Sequence, residues 1–224
     1  PRAEMLSGRA RLTAKDTTAG VAELRRVARQ YDSLDAAAEA WLSLARVAVA
    51  MHLAPDTVRA LFVAAFDSVH YASDAAPVAM LEYGEYLVSD RKPEAAVTVF
   101  SELSTRYPIE TSLAARGALR AAELLLRRST SASRALLERV TRGHAGDRWG
   151  GQAMLRLAQM DLAAQLNRRA LVRFDSVLSG ADLGPQLMGL AAFGHVKALV
   201  ALDRKPAAIA ELRELLAERS LPGE

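Results

Sequence analysis

Few side chains in this sequence have the types and spacing that catalysis or metal binding requires. Its four histidines are His52, His70, His144 and His195. None of them forms an i, i+4 pair with another histidine, and none lies in an H-E-x-x-H pattern. A metal site would need carboxylates assembled from separate segments. We therefore predict no metal site and interpret the histidines as structural or surface residues.

Glycine-rich phosphate loops and G-x-S-x-G elbows are also missing from the sequence. The nearest glycine cluster, residues 143–151, is predicted to lie between two helices, where helix capping and a turn account for it. Two carboxylate pairs, Glu82 with Glu85 and Glu211 with Glu214, are spaced i, i+3, which is typical of solvated helix faces. The sequence therefore predicts a protein that is not an enzyme and needs no cofactor.

A run of arginines is the strongest charge feature. Residues 111–149 carry eight arginines and three acidic residues, whereas residues 51–110 carry four basic and nine acidic ones. The eight are Arg116, Arg120, Arg127, Arg128, Arg134, Arg139, Arg142 and Arg148. They could bind a carboxylate, an anionic lipid head group or nucleic acid. Few aromatic residues lie among them, so nucleic acid is not expected. The alternative is a solvated face that the preceding acidic stretch partly neutralises.

Helices must position these side chains, because the composition is that of a helical protein. Of the 224 residues, 45 are Ala and 33 are Leu, both strong helix formers, and only 5% are aromatic. The chain has no cysteine, which excludes disulfides and thiolate metal sites and suits an oxidising compartment. No apolar run reaches the roughly 18 to 20 residues of a membrane span, so no transmembrane segment is predicted.

One sequence element recurs about every 37 residues. A small residue is followed by apolar residues four and seven positions later, and the small residues lie 37, 39, 37, 37 and 38 positions apart. The six copies are Gly20/Leu24/Val27, Thr57/Leu61/Ala64, Ala96/Phe100/Leu103, Ser133/Leu137/Val140, Ala170/Phe174/Val177 and Ala208/Leu212/Leu215. A second amphipathic segment precedes each copy, so each unit is predicted to be a helix pair that buries its apolar stripe by stacking on its neighbours.

These helix pairs resemble tetratricopeptide repeats, whose pattern is W-x2-L-G-x2-Y, then A-x3-F, then P. The best match is the unit from about 77 to 110, with Met80, Tyr83-Gly84, Leu87, Ala96, Phe100 and Pro108 at the pattern positions. The period exceeds the usual 34 residues, and the fourth unit has no clear first-helix register. The resemblance implies an all-α, right-handed α-solenoid of about six helix pairs. It also implies one domain with units at about 1–35, 36–74, 75–110, 111–146, 147–183 and 184–224.

In this family the first helix of each pair lines a groove for partner segments. Carried onto this sequence, the groove positions are Glu39, Leu42, Arg46, Val49, Leu81, Glu85, Val88, Gln152, Leu155, Gln159, Leu162, Leu190, Phe193, Lys197 and Val200. The predicted partner-binding residues are Leu42, Arg46, Leu81, Glu85, Arg116, Arg120, Leu155, Gln159, Phe193 and Lys197. A mainly aliphatic groove suits an extended or helical peptide. The alternative is that these aliphatic residues pack against neighbouring helices and leave no groove.

Two junctions between units further resemble repeats of bacterial cell-envelope proteins. They are residues 29–33 leading to 36–41, and residues 106–110 leading to 113–115. The envelope proteins include outer-membrane assembly lipoproteins and periplasmic coordinators of envelope constriction. The resemblance implies a periplasmic or outer-membrane-associated adaptor that binds protein, with peripheral membrane association left open. Because the chain begins with Pro1 rather than Met, we expect that a natural start has been removed. The alternative is a cytoplasmic regulatory or sensor module of a longer signalling or transcription protein.

Overall fold

The computed structural model describes residues 1–67, 69–70, 72–108, 111–180 and 183–220. These residues form twelve α-helices and no strand. The helices are α1 (Arg2–Thr13), α2 (Thr17–Gln30), α3 (Asp35–Ala50), α4 (Pro55–Phe66), α5 (Ala75–Ser89), α6 (Pro93–Arg106), α7 (Ser112–Leu125), α8 (Thr130–Gly143), α9 (Arg148–Ala163), α10 (Asn167–Leu178), α11 (Pro185–Ala201) and α12 (Lys205–Ser220). None of the described helices is both long and apolar enough to cross a membrane.

The helices pack in chain order. Successive helices are in contact from α1 through α6 and again from α8 through α12, and the first helices α1 and α3, α3 and α5, and α9 and α11 also touch. Within each of these two series, helix pairs therefore stack on their neighbours rather than folding around a central core. The predicted fold class, an all-α solenoid of about six helix pairs, is confirmed.

The chain contacts divide into two compact units, Pro1–Ala121 and Ala122–Glu224. The first unit contains α1 to α6 and most of α7, and the second contains the end of α7 and α8 to α12. The boundaries predicted after residues 74, 146 and 183 lie between helix pairs, and the one after residue 35 follows the first residue of α3. The boundary predicted after residue 110 lies outside the described residues. The prediction of a single domain stays a prediction.

A residue with left-handed backbone joins the two helices in five of the six pairs. These residues have φ between 53° and 66° and are Lys15, His52, Arg91, Gln165 and Asp203. In each case the next amide donates to a carbonyl five residues earlier, as Lys92 N does to Leu87 O at 2.8 Å, and closes the end of the first helix. The described turn of the fourth pair has no such residue, and Ser129 N donates to Leu125 O instead.

The left-handed residue gives the pairs a common register and corrects one prediction. The predicted small and apolar residues of α2, α6, α8 and α10 are all buried. In α4, however, Thr57 is exposed, and the buried residues lie one position later, at Val58, Phe62 and Ala65. The reason is that α4 begins three residues after His52, whereas α2, α6, α10 and α12 begin two residues after their left-handed residue. One extra turn residue shifts the buried stripe by one position.

Close contact between paired helices explains the small residues of the best-matching unit. A Cβ added to Gly84 of α5 would overlap the ring of Phe100 on α6, so only glycine fits there. Ala96 and Phe100 are completely buried on the same interface. The Tyr83-Gly84 match to the family pattern therefore has a steric cause in this chain.

Candidate partner-binding site

The left-handed residue also shows which first-helix residues are equivalent. Ten residues before it lie Leu42, Leu81, Leu155 and Phe193. Six residues before it lie Arg46, Glu85, Gln159 and Lys197. Eight of the ten residues predicted to bind a partner thus occupy two recurring positions, four residues apart on one helix face.

The three leucines at the first position are core residues. Leu42, Leu81 and Leu155 are only 3% to 5% exposed. Leu155 belongs to a buried cluster that includes Ala191 and Val196 of the following first helix, α11. The prediction that these leucines line an open groove is therefore wrong, because all three are buried. For Leu155 the alternative, packing against neighbouring helices, is what the structure shows.

The charged residues on this face join neighbouring first helices in an ion-pair ladder. Arg46 donates from Nε and Nη2 to both carboxylate oxygens of Glu82, at 2.8 and 2.6 Å. Arg120 binds Glu85 in the same two-bond manner, at 2.8 and 2.7 Å. Arg156 reaches Glu123 at 3.0 Å. The three rungs are Arg46–Glu82, Glu85–Arg120 and Glu123–Arg156, and they connect α3 to α5, α5 to α7 and α7 to α9.

The ladder changes the interpretation of three predicted binding residues. Arg46, Glu85 and Arg120 already have charged partners within the chain. The hydrogen bond to Glu82 is the main cause that raises the pKa of Arg46, so its guanidinium stays charged. Binding of a partner to these groups would have to compete with two-bond internal pairs.

Arginines of the Arg-rich stretch differ in their surroundings. Arg116 is exposed on α7, but Arg120 joins the ladder. Arg134 is directed at the buried carboxylate of Asp161, and the Arg148 guanidinium lies 5.7 Å from the centroid of the Trp149 ring. The predicted cluster is thus spread over different contacts.

Asp161 is the centre of a charge cluster that the sequence did not reveal. Its carboxylate is fully buried and contacts Arg134 Nη2 at 2.9 Å and Arg169 Nε at 2.8 Å, while Arg173 Nη1 also bonds to it. Burial is the largest of the effects that together lower the pKa of Arg173. These pairs tie α8 and α10 to α9. Because the three arginines lie at unrelated distances from Asp161 along the chain, spacing gave no signal.

The structure does contain apolar clefts, in the second unit. The first has a volume of about 620 Å³ between the end of α7, α8 and α9. Leu126, Leu137, Met160 and Ala163 line it, and the rung formed by Glu123 with Arg156 lies at its edge. This size is in the usual range for ligand pockets.

A second cleft of about 570 Å³ lies beside it, between α9, α10 and α11. Its lining includes Leu162, Phe174, Leu190, Phe193 and Lys197. Both clefts share Gln159 and Ala163. We call the two clefts together, with their shared Gln159 and Ala163, the apolar groove.

Three of the predicted binding residues lie in the apolar groove. Gln159 accepts a hydrogen bond from Arg156 at 3.1 Å. Phe193 is 54% exposed, and Lys197 Nζ lies 4.5 Å from the centroid of its ring, a cation–π contact.

The groove begins where the repeat pattern is broken. Leu126 follows α7 directly and is exposed, in the one described helix-pair turn that lacks a left-handed residue. Leu126, Met160 and Ala163 were not predicted as site residues. The apolar run of residues 124–126, directly before two arginines at the end of a helix, was the available signal.

The histidines have structural contacts. Both ring nitrogens of His70 lie near backbone carbonyl oxygens, of Asp32 at 2.6 Å and of Ala64 at 2.7 Å. Both ring nitrogens of His195 lie within 2.9 Å of carboxylates, on α10 and α12. Among the residues that the structure describes, no group of three or more potential ligands could hold a metal ion.

The class of protein that these features define is a helical-repeat protein with a tetratricopeptide-like fold. No family model matches the sequence, and no curated protein is similar to it. Among solved structures, the chain is similar to the crystal structure of PilW, described as a widely conserved type IV pilus biogenesis factor. The TM-score is 0.58 at 16% sequence identity, covering 98% of this chain and 93% of that one. At this identity the likeness concerns the fold.

Proposed function

We propose that this chain is a non-enzymatic scaffold that binds a segment of a partner protein during assembly of a bacterial envelope or membrane-associated complex. The observation that carries the proposal is the apolar groove, which exposes Leu126, Leu190 and Phe193 on one side of a helical-repeat unit. Exposed apolar surface of this kind is typical of binding sites. The shared fold with PilW, a biogenesis factor, supports a role in assembly.

The groove has the chemistry of a peptide site. Its walls are mainly apolar, and amide side chains of Gln159, Gln165 and Asn167 line its second cleft. Asn167 Oδ1 is buried and has no hydrogen-bond partner among the described residues. A peptide backbone N–H would satisfy this acceptor. We therefore assign an extended or short helical segment of a partner protein as the ligand.

The cellular location is part of the proposal. A pilus factor with the same fold and the resemblance of the repeat junctions to envelope proteins both favour the periplasm or the outer membrane. The cysteine-free sequence suits an oxidising compartment.

The proposal is tested by filling the groove. Ala163 is exposed and shared by both clefts, so Ala163→Trp should block them without changing the core. Ala60→Trp is the matched control, an exposed alanine on α4. Tagged chains are cross-linked in cells, purified, and their bound proteins quantified by mass spectrometry. We expect Ala163→Trp to lower recovery of an envelope protein about tenfold and Ala60→Trp to leave it unchanged. Equal recovery with both folded variants would reject the groove as the binding site.

A further inference from the structure

In the second unit, the fifth helix pair is covered by the sixth. In the fifth pair Leu155, Leu171 and Phe174 are 3%, 9% and 0% exposed. They share one buried cluster with Ala191 and Val196 of α11. The first helix of the next pair thus buries these three positions.

The equivalent positions of the sixth pair are exposed. Counted from the left-handed Asp203, they are Phe193, Ile209 and Leu212. Their exposures are 54%, 49% and 40%. No described helix packs over them, and Val200 and Leu216, also exposed, extend the same apolar surface. We call Phe193, Val200, Ile209, Leu212 and Leu216 the end face.

Outer surfaces of helical repeats that stay exposed to solvent are generally polar. Here the end face keeps large apolar residues at the same positions that stack against a helix elsewhere in the chain. It has the pattern of a surface that receives another helix.

The ion-pair ladder indicates the charge of that helix. In the second and third pairs the residue six positions before the left-handed turn residue pairs with a first-helix residue of the following pair, as Arg46 does with Glu82. Glu85 does the same with Arg120. In the fifth pair this position is the uncharged Gln159, which bonds to Arg156 of its own helix. In the sixth pair this position is Lys197, which is exposed at the edge of the end face. A following helix would therefore place an acidic residue opposite Lys197.

We propose that the end face is a docking site for an amphipathic α-helix of a partner protein. The helix packs as the first helix of a following pair would, with an apolar stripe on Ile209 and Leu212 and an Asp or Glu opposite Lys197. Phe193 and Lys197 also line the second cleft of the apolar groove, whereas Ile209, Leu212 and Leu216 line neither cleft, so the end face borders the groove and extends beyond it.

The probe for this site is taken from the chain itself. Helix α5 packs on the second pair, where its Glu82 binds Arg46, so a peptide with the sequence of residues 75–90, fused to a soluble carrier protein, presents an apolar stripe with an acidic residue at the required position. One peptide keeps Glu82 and the other carries Glu82→Lys. Binding to the full chain is measured by fluorescence anisotropy.

We expect the Glu peptide to bind about fivefold more tightly than the Lys peptide, because about 1 kcal/mol is the upper range for an exposed ion pair. Lys197→Glu in the protein should reverse the preference. Leu212→Glu should abolish binding of both peptides. Val172→Glu is the matched control, because Val172 is an equally apolar, 63% exposed residue of α10 outside the end face.

Several outcomes would overturn the assignment. They are no binding of either peptide at millimolar concentration, equal affinity of both peptides, or binding that Leu212→Glu leaves intact. Self-association of the chain that Leu212→Glu abolishes would identify a second copy as the occupant instead. Ala163→Trp should leave peptide binding unchanged, so failure at the groove and failure at the end face are separable.

Discussion

Among the individual residues, the paired charges of the first helices select neighbours more than they stabilise the fold. Their side chains are between 32% and 50% exposed, and exposed pairs contribute about 0 to 1 kcal/mol each. The order of charges differs from rung to rung, with Arg46 facing Glu82 but Glu85 facing Arg120. If α3 lay beside α7 or α9 instead of α5, Arg46 would face another arginine. The ladder therefore helps to specify which helices are adjacent.

Asp147 is a residue whose contribution depends on pH. It begins α9, where its Oδ1 accepts from Trp149 N at 2.8 Å and Gly150 N at 3.1 Å, and its Oδ2 accepts from His144 Nδ1 at 2.6 Å. Partial burial acts to raise the pKa of Asp147, but these hydrogen bonds outweigh it and lower the pKa below 3.8. Because the pKa of Asp147 is lower in the folded state than in the unfolded state, the ionised carboxylate stabilises the fold at pH values above the unfolded-state pKa. This stabilisation is lost as the pH falls through the folded-state pKa.

We predict that Asp147→Ala lowers the free energy of unfolding by about 1 kcal/mol at pH 7, the usual cost of losing a helix N-cap. The difference from wild type should shrink as the pH is lowered below 3.8. Denaturant unfolding of wild type and variant at pH 7 and at a pH below 3.8 measures this difference in the free energy of unfolding. Asp74→Ala is the control, because Asp74 precedes α5 without a capping hydrogen bond. An equal loss in both variants would contradict the assigned role.

On the scale of elements, the sequence predicted the helix pairs well because their buried residues recur with helical spacing. For α4 the sequence analysis placed the buried stripe one position too early, because two apolar stripes, one position apart, fit the same spacing. Only the extra residue in the turn before Pro55 decides between Thr57 and Val58. The first-helix face was harder, since spacing identifies a face but does not show which residues the next pair covers. Leu42 was therefore assigned to a groove, although it is core.

The register of the second helices can be tested by overpacking. Ala96 and Ala170 are completely buried at equivalent positions. Replacing either by Leu should lower the free energy of unfolding by about 1 to 3 kcal/mol, because the extra atoms have no space. Thermal unfolding would show a lower Tm for both variants. Ala95→Leu, at an exposed neighbouring position, should keep the wild-type Tm. A retained Tm in both buried variants would show that the register is wrong.

For the molecule as a whole, the candidate site was only partly predictable from the sequence. Gln159, Phe193 and Lys197 line the apolar groove, and among the described residues no helix packs over Phe193. The ladder and the Asp161 cluster were missed, since both depend on contacts between residues of different helices. Arg46 and Glu82 are 36 positions apart, and only the stacking of pairs brings them together.

The same stacking predicts which helices lose stability when one helix pair is destabilised by a substitution. Because contacts join neighbouring helices, a cavity in one pair should loosen that pair and its neighbours while leaving distant pairs protected. Leu24→Ala removes a fully buried side chain of α2 and should cost about 2 to 5 kcal/mol. In hydrogen–deuterium exchange we expect faster exchange in α1 to α3 and unchanged exchange in α9 to α11. Leu137→Ala on α8 is the reciprocal variant, which should loosen α8 and α9 and spare α1 to α3. A uniform rise in exchange across all helices in either variant would mean that the chain unfolds as one cooperative body, and that nearest-neighbour contacts do not govern its stability.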